Sequence, residues 1–348
     1  MNCVTHTRPK KEREATPFEA YLAVVRRAVD GELARMLREK EEGAQREGEP
    51  AHAAFAAMAK LAVRGGKRQR AALLAAAYEA CGGVGGSTAV TAAGVAIELL
   101  QTYFLVHDDW MDASELRRSG PTVHVALRAT FASERHADAA AILAGDWACA
   151  LAQEALLSLP YLPPEAILAA LRELARIQSD VIVGQLLDVH GATDAIDRMH
   201  ELKTGSYTVR GPFELGALLA GASTEQHAFL ERFAKPLGIA FQLRDDLLGT
   251  FGDPLLTGKS VTSDIAERKR TALVADLLET ANGRAVWSSG EPDAIRSFMI
   301  ESGTKTRVEA RLARLVDEAC SALATSPLTA DGKVLLASAA RLLAQRDR

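Results

Sequence analysis

Residues 88–112, TAVTAAGVAIELLQTYFLVHDDWMD, constrain this chain more than any other stretch. They read as one long helix, apolar over most of its surface until Asp108, Asp109 and Asp112 at its C-terminal end. A helix that is hydrophobic nearly all round has to be wrapped by other elements. The remaining sequence can supply that wrapping, because an apolar pattern with only short breaks runs from about Pro17 to the C-terminus. Sustained β alternation is absent, aromatic residues make up only 5%, and Ala and Leu abound, which favours packed helices over a sandwich or barrel. The 348 residues would permit two domains, but no linker divides the pattern and no solenoid-like period repeats. The expected fold class is all-α, a single-domain bundle of antiparallel helices over residues 16–348 behind a polar, disordered tail at 1–15.

Local signals place the elements. Thr16-Pro17-Phe18-Glu19 reads as a capping box with proline at the first helical position, opening a helix that runs to about Lys40. The polar, glycine-containing segment 41–49 reads as a connection, followed by helices at about 51–63 and from near Lys67 to just before Gly82. Gly120-Pro121 breaks the chain after the long apolar helix. Further helices are expected at about 122–132, 136–158, 164–190, 196–221, 224–248, 263–281, 292–301, 305–325 and 328–345.

The charge balance is 41 Lys and Arg against 45 Asp and Glu, a formal −4, so no global basic field points to nucleic acid. Cys3, Cys81, Cys149 and Cys320 lie far apart and form neither a zinc pattern nor a disulfide framework, which fits a reducing, cytoplasmic setting. Every long apolar run is interrupted by charge within about 18 residues, so neither a signal peptide nor a transmembrane segment is expected.

At about 100° per residue, Asp108 and Asp112 stack one turn apart while Asp109 points roughly 100° away. Two carboxylates can then share an ion while the third hydrogen-bonds or meets solvent. A solvated helix end is the plain alternative, but three acids at a helix C-terminus oppose the macrodipole unless cations compensate. Oxygen ligands without a nearby cysteine favour Mg²⁺. His107 beside the cluster reads as a packed neighbour. Upstream, Gly65-Gly66-Lys67-Arg68-Gln69-Arg70 opens a helix with three cations round its first turn, and downstream lie Arg117-Arg118. Such groups bind phosphate. A second acidic pair, Asp245-Asp246, ends another apolar helix, but Gly249 stands where a stacked carboxylate would be. Asp253 follows and could fold back. Gln185 and Asp188 form a polar pair on an otherwise apolar helix.

In order along the chain, several motifs resemble the trans-isoprenyl (polyprenyl) diphosphate synthase family, short-chain type. They are Gly65-Gly66-Lys67-Arg68-x-Arg70, Glu98-Leu99-x-Gln101, Asp108-Asp109-x-x-Asp112 and Arg117-Arg118-x-Gly120-x-Thr122-Val123-His124. Gly145-Asp146, Gly184-Gln185-x-x-Asp188, Lys203-Thr204-Gly205, Phe241-Gln242-x-x-Asp245-Asp246, Gly258-Lys259 and Lys269-x-Thr271 complete the set. The resemblance implies helices around a central cavity and a homodimer. It also implies three Mg²⁺ ions per site, with Mn²⁺ as a substitute, holding an allylic diphosphate between the acidic segments. Asp108, Asp112 and Asp245 are then direct ligands, and Asp109 and Asp246 supporting ones. Arg117, Lys203 and Lys259 neutralise the allylic diphosphate, with Lys269 as a further cation of that half. Lys67, Arg70, Gln101 and Arg118 hold isopentenyl diphosphate. Thr204 and Gln242 flank the reacting carbon and stabilise the allylic cation through their oxygen dipoles.

The same resemblance places the growing chain alongside the helix that carries Asp108. Phe104, one turn back and about 6 Å deeper, and its neighbour Tyr103 are expected to floor the tunnel early. That favours a farnesyl over a geranylgeranyl product. A class I terpene cyclase shares the acidic site but has no use for Lys67, Arg70 and Gln101. A non-catalytic partner subunit is the alternative that Gly249 raises.

Overall fold

The computed structural model describes residues 15–190, 196–253, 263–266 and 268–345. The first helix opens as the sequence predicts: the Thr16 hydroxyl accepts from the Glu19 N–H at 3.3 Å, and the Glu19 carboxylate accepts from the Thr16 N–H at 2.7 Å. This helix, α1 (Pro17–Arg46), runs beyond the expected end at Lys40. Apart from Gly43, residues 41–46 favour helix, and continuing it buries Ala44. The break comes instead at Gly48, whose φ of 104° only glycine adopts readily.

Next come α2 (Glu49–Val63), α3 (Gln69–Ala80) and the predicted apolar helix, α4 (Thr88–Met111). A short helix, α5 (Val123–Leu127), leads to α6 (Glu134–Leu157) and α7 (Pro164–His190). α4 packs chiefly on α6, where Ala93, Ala96 and Leu100 share a core with Ala137, Ala141, Ala144 and Ala148. Small side chains on both helices let the axes approach closely. Every residue from Ala71 to Ala77 of α3 is buried. The first helix meets the last described one where the Phe18 N–H donates to the Ser338 hydroxyl at 3.0 Å. α4 and α6 are long and apolar enough to cross a membrane, yet 72% and 50% of their most apolar windows are buried inside the protein. The charge inside α4, Glu98, is 2% exposed and ion-paired to Arg68.

The largest departure from expectation lies at 196–221, read as one helix. The structure has α8 (Ile196–His200), a π-helical stretch (Glu201–Arg210) and α9 (Gly211–Ala220). Pro212 cannot donate a backbone hydrogen bond into the preceding turn. The wide turn is also clamped on both sides. A Cβ on Gly184 of α7 would lie 2.4 Å from the Lys203 nitrogen, and one on Gly238 would lie 3.3 Å from the Gly205 Cα. Apolar periodicity carries no signal for such close backbone approach.

α10 (Thr224–Phe251) continues through Pro236 and past the expected end at 248. The helix expected over 263–281 is divided into Ser263–Ala266 and Ala272–Leu278, and the latter starts at Thr271, whose hydroxyl accepts from the Val274 N–H at 3.3 Å. Ala281–Ser289 is an unanticipated helix, followed by Pro292–Glu301, Thr304–Ala322 and Ala330–Gln345.

Candidate active site

The functional groups gather where α4, α7, the π-helical stretch and the start of α3 meet. After α4 the chain forms a two-stranded hairpin, Leu116–Arg117 against Gly120–Pro121, with Arg117 opposite Gly120. Arg118 and Ser119 at its corner have φ of 52° and 59°. Positive φ at both central residues is what a type I′ turn requires, and non-glycine residues there store strain. Arg64 holds the hairpin: its Nη1 donates to the carbonyls of Pro121 (2.9 Å) and Arg117 (3.2 Å). A Cβ on Gly120 would lie 2.4 Å from that Nη1, so a larger residue there would displace the Arg64 side chain.

The hairpin returns Arg117 to α4, where its Nε donates to Asp109 Oδ1 at 2.7 Å and its Nη2 bonds the same oxygen. Asp109 is fully buried, and its Oδ2 has no hydrogen-bond partner among the described residues. Burial pushes its carboxyl up, against the pull of Arg117. Asp108 instead faces a cavity, 3.4 Å from Lys203 Nζ, which also bonds Asp188 Oδ2 at 2.6 Å. Burial pulls the Lys203 ammonium down, but Asp108, Asp188 and Asp112 outweigh it and hold it above its ordinary value. One turn on, Asp112 is exposed. The protein on its inner side still desolvates it in part, and this, followed by Asp108, raises its carboxyl, with Lys203 and Lys269 opposing. Among the described residues no three His, Cys, Asp or Glu side chains are gathered closely enough to hold a metal ion alone. The all-oxygen pair Asp108 and Asp112 still suits a hard cation that takes one or two carboxylates and completes its shell with phosphate and water.

The second acidic pair divides in the same way. Asp246 is buried and accepts from Gln242 Nε2 and from the Ala272 N–H, both at 2.8 Å. Asp245 remains half-buried. Gly249 lies inside α10, and Asp253 is exposed just beyond its end. Gly258 and Lys259 lie outside the described residues, as do Cys3 and residues 1–14 of the expected tail.

The three cations of the α3 start separate. Arg68, in a left-handed conformation with φ 53°, turns into the core, where Nε reaches Asp30 at 2.7 Å, Nη1 reaches Glu98 at 3.0 Å and Nη2 reaches the Ala62 carbonyl at 2.8 Å. Lys67 is exposed and Arg70 half-buried. Arg70 Nη2 donates to the Thr208 hydroxyl at 2.9 Å, its guanidinium lies 4.1 Å over the Tyr207 ring, and its buried Nε has no partner among the described residues. Burial and the neighbouring Arg68, Arg70 and Arg117 hold the Arg118 guanidinium below its ordinary value, with Glu98 opposing. Arg68 is taken up by Asp30 and Glu98 and Arg117 by Asp109, so Arg70 and Arg118 are the guanidiniums of this group suited to an anion. Gln101 is half-buried on α4, one turn from Glu98.

A cavity of about 390 Å³ opens beside these groups. Asp108, Lys203, Thr204 and Gln185 line its polar end; Val181, Ile182 and Leu186 of α7 form an apolar wall. Tyr103, Phe104 and Tyr207 supply aromatic rings. Phe104 stands 5.0 Å from Tyr103 and 5.3 Å from Tyr207, the latter edge-on at 71°. His107 also lines the cavity, but its Nε2 sits 3.0 Å from the Ile142 carbonyl and its ring packs edge-on against Tyr103. Tyr207 and Thr208 escaped the sequence reading, since nothing in their spacing marks them. Asp188 and Lys203 were each marked by a motif in the sequence, but the tie between them was not.

A family model described as polyprenyl synthetase matches residues 52–289. The chain belongs to the polyprenyl synthetase family. It is 41% identical over 212 residues to a (2E,6E)-farnesyl diphosphate synthase of Mycobacterium tuberculosis, covering 59% of this chain and 55% of that one. The chain thus spans little more than half the length of that curated relative. It is 32% identical over 288 residues to a geranylfarnesyl diphosphate synthase of Aeropyrum pernix, covering 78% and 87%. In structure it is similar to a geranylgeranyl pyrophosphate synthase from Corynebacterium glutamicum complexed with isoprenyl diphosphate and magnesium. That likeness has a TM-score of 0.84 at 31% identity, over 94% of this chain and 99% of the other. The all-α fold is the one the sequence predicted.

Proposed function

We propose that this protein is a Mg²⁺-dependent prenyltransferase that condenses isopentenyl diphosphate with an allylic diphosphate into a short trans-prenyl diphosphate. One observation carries the reading: an apolar, aromatic-lined cavity whose polar end is shared by Asp108 and Lys203, with a separate arginine cluster beside it. A hydrocarbon tail fits the cavity, one diphosphate fits the carboxylate end, and a second fits the arginines without metal. A terpene cyclase would leave that second site unused. Gly249 motivates the other rival, a non-catalytic partner subunit.

Asp108, Asp112 and Asp245 would hold the ions, three in this reading, with Mn²⁺ able to substitute. Bound Mg²⁺ supplies Lewis-acid stabilisation of the leaving pyrophosphate. Lys203, backed by Asp188, and Lys269 place positive charge at the same end, as Lys259 does in this reading. Arg117 fixes Asp109 and adds its charge to the site. Lys67, Arg70, Gln101 and Arg118 receive isopentenyl diphosphate and aim its double bond at the allylic carbon. The bond from that carbon to the diphosphate oxygen breaks, and the double bond of isopentenyl diphosphate forms the new carbon–carbon bond. The released pyrophosphate then takes up the proton whose loss regenerates an alkene, so no side-chain base is required. Thr204 and the Gln242 carbonyl, the end of that amide not bonded to Asp246, turn oxygen dipoles towards the transient cation.

Labelled isopentenyl diphosphate, Mg²⁺ and C5, C10 or C15 allylic diphosphates test the reading. Chain-length products support it, a hydrocarbon from the allylic substrate alone replaces it with a cyclase, and no turnover favours the partner subunit. Tyr103 and Phe104 on the cavity wall favour a farnesyl product. Phe104→Ala and Tyr103→Ala are then expected to lengthen products by at least one isoprene unit; unchanged length in both and in the double variant rejects the floor. Geranylgeranyl diphosphate is the second reading, supported by the structural likeness to a synthase of that product. A cytoplasmic homodimer completes the proposal. Leu143 and Leu157, both more than half exposed on α6 and nearly four turns apart, offer an apolar face for a second copy.

A further inference from the structure

We propose that Tyr207 is a positioning residue that joins the cationic site for isopentenyl diphosphate to the aromatic floor of the hydrocarbon cavity, an inference that rests on the functional reading above. Its ring has a neighbour on each of two sides. Arg70 lies over one face at 4.1 Å, and Phe104 meets the ring edge-on at 5.3 Å. The next residue, Thr208, accepts from Arg70 Nη2 at 2.9 Å. Two consecutive residues of the π-helical stretch therefore fix one guanidinium, one by its face and the other by a nitrogen. The Arg70 Nε is buried and without a partner among the described residues, and the single bond from Nη2 to Thr208 leaves other N–H groups of the guanidinium to donate to an anionic ligand. A planar guanidinium held on an aromatic face keeps its donors aimed before the ligand arrives.

Tyr207 also lines the cavity. The stretch that carries it begins with Glu201 and includes Lys203 and Thr204 at the polar end of the same cavity. A ring packed against both Arg70 and Phe104 cannot shift for one without disturbing the other. Isopentenyl diphosphate affinity and product length therefore share a determinant that neither the cationic motif nor Phe104 contains by itself.

The test compares Tyr207→Phe with Tyr207→Leu, with folding checked by circular dichroism and melting temperature. Tyr207→Leu is expected to raise the KM and the calorimetric Kd for isopentenyl diphosphate about three- to tenfold, the range a single cation–π contact allows. The KM for the allylic diphosphate should stay within about twofold on the same basis, and products should lengthen. Tyr207→Phe keeps the ring and should behave as wild type in all these readouts. Equal shifts in both KM values, unchanged isopentenyl diphosphate affinity in Tyr207→Leu, or failure of phenylalanine to preserve it overturns the inference. The functional reading fails differently: wild-type protein that binds isopentenyl diphosphate without condensing it rejects that reading, while the binding constants still decide the role of Tyr207.

Discussion

The two acidic clusters share a layout and differ in how their buried member is satisfied. In each, the second aspartate of a consecutive pair turns inward while the first is less buried: Asp109 behind Asp108, and Asp246 behind Asp245. Asp109 is answered by a charge, the guanidinium of Arg117. Asp246 accepts from the Gln242 amide and the Ala272 N–H. The first arrangement locks the hairpin Leu116–Pro121 against α4, and the second anchors the helix Ala272–Leu278 against α10. One sequence pattern thus serves two structural ends.

The largest effect expected concerns the outward residues. Asp108→Ala should lower kcat/KM by about 10²–10³-fold, comparable to removing one key electrostatic group from an active site. Asp245→Ala should cost less, because Gly249 leaves its cluster without the stacked carboxylate that Asp112 gives Asp108. Steady-state rates at saturating Mg²⁺ check this, and equal losses would break the comparison. The inward residues come next. Asp109→Asn should destabilise by about 2–3 kcal/mol, below the value for a fully buried pair because Arg117 is 24% exposed. Asp246→Asn should cost about 1–2 kcal/mol, since the amide keeps one acceptor oxygen for the two donors that Asp246 now satisfies. Urea denaturation measures both, and the reverse order would show that the Arg117 guanidinium is not the stronger anchor.

Gly249→Asp sharpens the contrast from the other side. It restores a carboxylate one turn from Asp245 and should lower the Mg²⁺ concentration needed for half-maximal rate, unless Asp253 already fills that role. The smallest effect is pH-dependent. Burial and Asp108 hold the Asp112 carboxyl above its ordinary value, so the folded protein binds that proton more readily than the unfolded chain. Stability from this group is therefore gained as pH falls through the raised value and lost as pH rises. Asp112→Asn should melt above wild type near neutral pH, and the gap should shrink towards the ordinary carboxylate range, while activity falls.

The start of α1, the apolar helix α4, the helix Pro292–Glu301 and the ordered motifs were legible in the sequence, because capping chemistry and apolar periodicity are local. Asp108, Asp109 and Asp112 were legible as a divided cluster, because helical geometry fixes the angles between neighbours. That Asp109 rather than Asp108 turns inward was not, since the answer depends on where the hairpin delivers Arg117. Arg68 likewise counts as one of three equal cations in sequence, and only Asp30 and Glu98, brought from α1 and α4, draw it into the core.

The sequence by itself determined the helical class, the acidic and basic motifs and their order. It also determined Tyr103 and Phe104 as rings one turn from the acids. Tertiary structure alone decided the π-helical turn at Glu201–Arg210, the partners of the two inward aspartates and the place of Tyr207 between Arg70 and Phe104. Each of those depends on contacts of a few ångströms between segments far apart in the chain. No local propensity encodes such contacts until the backbones of α7 and α10 close on Gly184, Gly205 and Gly238.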